Sequence, residues 1–217
     1  MVSGIALLVA VPVGLMIAIY LAEYASSSFR SWAKPAIEIL AGIPTIVYGV
    51  FALMVIGPFL KMLGDQIGLD INATSALTAG LVMGIMIIPF VSSLSDDIIT
   101  QVPRALRDGS LGLGATKSET IRQVVLPAAL PGIIGAFLLA ASRAIGETMA
   151  VIMVAGNQPI VPGSIFSGVR TMTANIVMEM GYAADLHREA LLATAVVLFV
   201  FILIINLCFS MLKRRAD

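Results

Sequence analysis

Five stretches of this chain are apolar over about the twenty residues that an α-helix needs to cross the hydrocarbon core of a bilayer. They run roughly from Val2 to Ala22, Ala36 to Val55, Ser75 to Ser95, Pro131 to Ala155 and Ala190 to Leu212. In hydrocarbon every backbone polar group must be satisfied inside the protein, so only helices and closed barrels span it. The runs are continuous and do not alternate with period two, which excludes a barrel. With 59% of its 217 residues hydrophobic and only 12% charged, and a mean hydropathy of +1.02, the chain cannot clothe a soluble domain. The expected fold is all-α: a polytopic transmembrane helical bundle, residues 1–217 forming one domain with five spans.

Charge matters by placement, because 13 basic residues balance 13 acidic ones and leave no excess to attract nucleic acid. The segments after the first, third and fifth runs hold Arg30 and Lys34; Arg104, Arg107, Lys117 and Arg122; and Lys213, Arg214 and Arg215. The other side holds Lys61, Arg170 and Arg188. Nine against three places the segment of about 96–130 and the C-terminus in the cytoplasm. Residue 1 then lies outside, and the expectation is that one further outward-going helix precedes Val2, a naturally five-span chain being the alternative. Tyr20, Tyr24 and Trp32 suit the headgroup level at the inner end of the first span. Glu38, after Pro35, suits the first turn of the second.

One cysteine, Cys208, and one histidine, His187, cannot build a disulfide or a clustered metal site. Cys208 reads as packing. Proline and glycine punctuate the spans, most densely in AGIPTIVYG, Ala41 to Gly49. There Thr45 and Tyr48 are polar handles that either line a pathway or merely accompany residues common in membrane helices.

The segment 96–130 carries too many helix signals to be a bare connector. Thr116 and Glu119 form a capping box, which opens a short helix that Pro127 is expected to stop. Gly112 and Gly114 precede it, giving helix, glycine turn and helix. GLGATKS imitates a phosphate loop, but Leu111 and Thr116 stand where glycines are required and no strand precedes it. The chain is therefore not expected to bind ATP.

Asp108-Gly109-Ser110, three residues, Gly114, nine residues, Val124, one residue, Leu126-Pro127 reproduces the spacing E-A-A-x3-G-x9-I-x-L-P. That pattern resembles the EAA loop in permease subunits of bacterial ABC importers, whose fold is termed MetI-like. The departures are conservative at the first and isoleucine positions and less so at the two alanines. The resemblance implies that Asp108 to Pro127 form a coupling element seated in a separate ATP-binding subunit. KPAIEILAGIPTIVYG, IMIIPFVSSLSDDI, LRDGSLGLGATKSETIRQVVLPAALPGI and SRAIGETMAVIMVAGN extend the likeness to nearly the whole chain. Together, and chiefly through GETMAV, they are similar to the phosphate-specific permeases of the PstC type. The resemblance implies a second permease subunit of the PstA type, two ATP-binding subunits that carry ATP and Mg, and an extracytoplasmic phosphate-binding protein. No cofactor is expected in this chain and no covalent chemistry on it.

Against this background the charged pair in ASRAIGETMA, Ala141 to Ala150, becomes informative. Arg143 lies 12 residues beyond Pro131, about 18 Å into the run at ~1.5 Å per residue, near mid-membrane, with Glu147 expected one turn further on. An arginine at the centre of a span costs about 2.5–3.5 kcal/mol even on the insertion scale. One account is a self-neutralising ion pair at i, i+4 that helps packing. The other is that Arg143 meets an anion in a water-accessible path, its planar fork matching phosphate oxygens while Glu147 orients it and accepts a proton from the ligand. Thr148 adds a hydroxyl, although a threonine in a membrane helix more often bonds its own backbone. The rivals are an importer for sulfate or molybdate, a proton-coupled secondary transporter, and a scaffold that would tolerate losing the pair.

Overall fold

The computed structural model describes the backbone of residues 1–216 and the side-chain surroundings of all residues except 208–210 and 212–217. The expectations for Cys208, Lys213, Arg214 and Arg215 lie outside the described side chains. The helices are α1 (Val2–Ile19), α2 (Ser27–Ala41), α3 (Thr45–Phe51), α4 (Gly57–Ile67), α5 (Ala76–Thr100), α6 (Arg104–Gly112), α7 (Lys117–Thr120), α8 (Leu126–Gly146), α9 (Met149–Val154), α10 (Met172–Met180) and α11 (Asp185–Ala216). Wide π-helical turns at Tyr20–Tyr24, Ala52–Ile56 and Ile121–Val125 extend α1, join α3 to α4 and join α7 to α8. Five continuous helices among the described residues are long and apolar enough to cross a membrane: Val2–Tyr24, Thr45–Ile67, Ala76–Thr100, Lys117–Gly146 and Asp185–Leu207.

The third span is the axis of the bundle, buried along most of its length, from Ala76 through Met83 and Ile87 to Ile99. The first span packs along it through Val2, Ala6, Ala10, Gly14 and Ala18, a four-residue repeat of small side chains on one face. Lipid tails give two helices no hydrophobic reason to associate, so close backbone approach between small residues carries the contact. Gly80 and Gly14 show how close it is: a Cβ on Gly80 would stand 2.6 Å from Cβ of Ile5, and one on Gly14 2.8 Å from Cβ of Val91.

The second span begins later than its hydropathy suggests. Gly42-Ile43-Pro44 breaks the run, because Pro44 offers no N–H and pushes the residue before it away from helical geometry. Residues before the break form α2, capped by the Ser26 hydroxyl, which accepts from the Phe29 N–H at 3.3 Å. Glu38 consequently sits near the end of α2, not in the first turn of a span. Arg30, Lys34 and Glu38 follow at four-residue intervals. Arg30 reaches the Asp96 carboxylate at 2.8 Å and Lys34 reaches it at 3.1 Å. Asp96 is 1% exposed, and a buried carboxylate persists only when paired. Lys34 also pairs with Asp97. Its ammonium is raised above the ordinary 10.5, chiefly by the hydrogen bond to Asp97, with burial opposing and Asp96 adding to the rise. Trp32, Tyr20 and Tyr24 are exposed, as rings at a headgroup level would be.

The fourth span differs at both ends. The Thr116–Glu119 capping box is present, but Pro127 does not stop the helix it opens. The wide turn Ile121–Val125 makes room for the proline ring, with the Leu126 N–H bonding to Ile121 O, and α8 runs on past Pro131. At the far end α8 finishes at Gly146, so the expected continuous helix to Ala155 is broken at Glu147-Thr148.

Candidate functional site: the fourth-span break and the connecting helices

Glu147 has extended backbone (φ −64, ψ 135) and Thr148 has φ −127, ψ −57. Irregular backbone within an apolar region needs internal partners. One is local and one is not: the Thr148 hydroxyl donates to Gly146 O at 3.1 Å, and the Thr173 hydroxyl, from α10, donates to Glu147 O at 2.9 Å. The Glu147 carboxylate accepts from the Ala150 N–H at 3.3 Å, which caps α9. Thr148 thus bonds its own backbone, while Thr173 plays a part that its sequence surroundings did not signal.

This geometry corrects the expected i, i+4 arrangement. Four residues bring side chains together only on an unbroken helix, and the break swings Glu147 away from Arg143. Among the described residues no ion pair joins them. Glu147 turns toward a cavity of about 380 Å³ lined also by Ser3, Leu7, Met83, Ala144 and Thr173, in which Arg143 takes no part. Arg143 instead places its guanidinium carbon 5.3 Å from the ring centroid of Phe90, near the middle of the third span, a cation–π contact. Among the described residues it donates no hydrogen bond to protein. Phe90 was missed in the sequence because a lone phenylalanine in an apolar run carries no periodic signal.

The short helix α9 packs against α3 where Gly49 lets it approach: a Cβ there would lie 2.9 Å from the Met153 sulfur and 3.2 Å from Cα of Ala150. Tyr48, one residue earlier, packs on the same core as Phe90, Phe137 and Met153. Its hydroxyl donates to Leu40 O at 2.9 Å, pinning the second span to the end of α2. Thr45 is the first residue of α3, directly after Pro44, and half-buried. The structure therefore brings Arg143 to Phe90, packs Tyr48 on the same core as Phe90, and turns Glu147 toward a cavity that Arg143 does not line.

At the end of the bundle where the third and fourth spans are joined, α6 carries Asp108, Gly109 and Ser110 and buries no residue. Leu106, Leu111 and Leu113 are exposed, Leu113 at 92%. Gly114 has φ +92, a left-handed conformation, and makes the turn into the Thr116-capped helix. Val124 lies in the wide turn, and Leu126 and Pro127 open α8. On the opposite side, the segment after α9 is fastened to the start of the third span by Ala76 N to Ser167 O at 3.0 Å and Leu77 N to Ile165 O at 2.9 Å.

Residues 10–217 match the family described as binding-protein-dependent transport system inner membrane component. The phosphate transport system permease protein PstC of Haemophilus influenzae is 38% identical, over 91% of this chain and 68% of its own length. Its namesake from Mesorhizobium japonicum is 37% identical, over 99% of this chain and 71% of its own. The probable ABC transporter permease protein YqgH of Bacillus subtilis is 38% identical over 92% of this chain and 65% of its own. Among solved structures, an inward-facing MetNI methionine ABC transporter superposes with a TM-score of 0.71 at 18% identity, covering all of this chain and 89% of that one. A bacterial ABC transporter for alginate import gives 0.72 at 17%, covering 99% of this chain and 76% of that one. The five-span helical bundle is thus of the MetI-like kind, and the chain belongs to the binding-protein-dependent transport inner membrane components, the permease subunits of ABC importers.

Proposed function

We propose that this permease passes inorganic phosphate. The observation that carries the reading is Arg143, a fixed positive charge level with the middle of the third span, without a carboxylate partner among the described residues. An unneutralised arginine there is costly unless an anion meets it, and its planar fork suits the tetrahedral oxygens of phosphate. The names borne by the 37–38% identical relatives support the same ligand.

The pore is completed by a second permease subunit. Two ATP-binding subunits supply ATP hydrolysis with Mg, and an extracytoplasmic binding protein delivers phosphate. This chain holds no cofactor and makes no covalent intermediate. The segment 96–130 and the C-terminus face the cytoplasm of a bacterial inner membrane, and Asp108 to Pro127 receive the movement of the ATP-binding subunits. Transport is alternating access, the spans re-aiming around the path as nucleotide binds and is hydrolysed. Thr45 and Tyr48 line the path beside Arg143. Glu147 and Thr148 lie at a break that can change angle, so Glu147 approaches the anion in only one of the two states.

A second reading is an importer for another oxyanion, sulfate or molybdate. It is favoured by the separation of Glu147 from Arg143, since a carboxylate that accepts the ligand's proton is the feature that would tell phosphate from fully ionised sulfate. Uptake of radiolabelled phosphate by membranes holding the complete importer, with unlabelled sulfate or molybdate in excess, tests both. Phosphate uptake that requires ATP and resists both competitors is expected. Uptake abolished by either competitor would replace the first reading with the second.

A further inference from the structure

The helix that carries Asp108 to Ser110 has an unusual attachment. α6 buries no side chain, and its leucines point away from the bundle. Only Arg107 and Ser110 in it are partly covered apart from the helix ends' neighbours, and they lie three residues apart on one face. The Ser110 hydroxyl meets that of Thr120, at the start of the fourth span, at 2.9 Å. Arg107 reaches further. One arm of its guanidinium pairs with the Glu23 carboxylate, in the wide turn that ends the first span. The other donates to the carbonyl of Ile99, in the last turn of the third span, at 2.7 Å. The Glu23 side chain is 8% exposed and that of Arg107 21%.

A helix held by apolar packing can slide over its neighbours, whereas a bidentate guanidinium bridging two fixed acceptors keeps direction as well as distance. Glu23 lies in the wide turn Tyr20–Tyr24, whose end is closed by the Ala25 N–H bonding back to Tyr20 O at 2.8 Å, and such π-helical turns are frequent at functional sites. Tyr24 in the same turn lies under the Lys117 ammonium, 5.0 Å from the ring centroid, so the first span also touches the start of the fourth.

We propose that Arg107 is a positioning residue for transport, and that its fork, through Glu23 and Ile99, makes the first and third spans move together whenever α6 is displaced. The inference rests on the reading that α6 seats on a separate ATP-binding subunit. It assigns no contact with that subunit to Arg107 itself, whose side chain faces the bundle. Removing the fork should leave α6 formed and its outer face intact, while the displacement no longer reaches both spans.

The test uses the complete importer in vesicles and reads three quantities: retention of the ATP-binding subunit, ATP hydrolysis, and radiolabelled phosphate imported per ATP hydrolysed. Arg107→Lys keeps the charge but cannot hold two separated acceptors, and Glu23→Gln keeps shape without charge. Both are expected to retain the ATP-binding subunit and to lower phosphate imported per ATP by about tenfold, the scale of one charge-assisted contact. Should either single variant insert poorly through an unpaired buried charge, Glu23→Leu with Arg107→Met removes both charges at similar volume and restores assembly. A purely structural pair would then import normally; the proposal requires import per ATP to stay low. Parent-like import per ATP in Arg107→Lys or in the assembled double variant overturns it. Absence of an ATP-binding subunit from the parent preparation overturns it differently, by removing the functional reading beneath it.

Discussion

Replacing Arg143 by glutamine separates transport from assembly with opposite signs. The guanidinium carbon lies over Phe90, 5.3 Å from the ring centroid, a contact worth about 0.5–2 kcal/mol. Against that loss, a mid-span arginine costs about 2.5–3.5 kcal/mol to insert. The second magnitude is the larger, so the variant should reach the membrane at least as well as the parent. Transport should move the other way. A hydrogen bond to a charged partner contributes about 1.5–3 kcal/mol, and at about 1.4 kcal/mol per factor of ten its loss lowers the rate roughly tenfold to a hundredfold. Arg143→Lys, which keeps the charge without the fork, should fall between. The assay is uptake of radiolabelled phosphate per membrane-inserted chain, with the ATP-binding subunit quantified in the same membranes. Uptake of Arg143→Gln within about twofold of the parent would refute the reasoning, because no contact of that class would then have been lost.

Other outcomes follow from the same geometry. Gly114→Val forces a β-branched residue to φ +92, a strain of about 1–3 kcal/mol, and should reduce co-purification of the ATP-binding subunit while the chain still inserts. Thr173→Val leaves the Glu147 carbonyl without its 2.9 Å donor. It should lower thermal stability in detergent by about 1–3 kcal/mol, with Thr173→Ser close to the parent. Gly80→Val puts atoms 2.6 Å from the Ile5 Cβ and should destabilise the pairing of the first and third spans by about 1–3 kcal/mol, read as a lower melting temperature. Glu147→Gln should weaken discrimination between phosphate and sulfate, measured by competition; unchanged discrimination would assign the carboxylate solely to capping α9 through Ala150.

What the residues determine alone is the class of the molecule and the order of its spans. Hydrocarbon admits no unsatisfied backbone, so a run of about twenty apolar residues has one available solution wherever it occurs. The capping box at Thr116 and the turn at Gly114 were equally legible, because caps and left-handed turns depend on a few neighbouring side chains. The spacing of Asp108 to Pro127 pointed to the family for a similar reason.

The tertiary structure decided where helices end and which charges meet. Hydropathy integrates over a window and cannot see a break, so it ran the second span through Pro44 and the fourth through Glu147-Thr148. The first break is satisfied from eight residues away, Tyr48 bonding back to Leu40 O, and the second from 26 residues away, Thr173 bonding across to Glu147 O. Pro127 looked like a stop until the wide turn Ile121–Val125 absorbed it. The pairs Arg30–Asp96 and Arg107–Glu23 join residues 66 and 84 positions apart, a separation that no local pattern encodes. Only packing of the first span along the third brings Glu23 to the base of α6, and only the break after Gly146 leaves Arg143 facing Phe90 without Glu147.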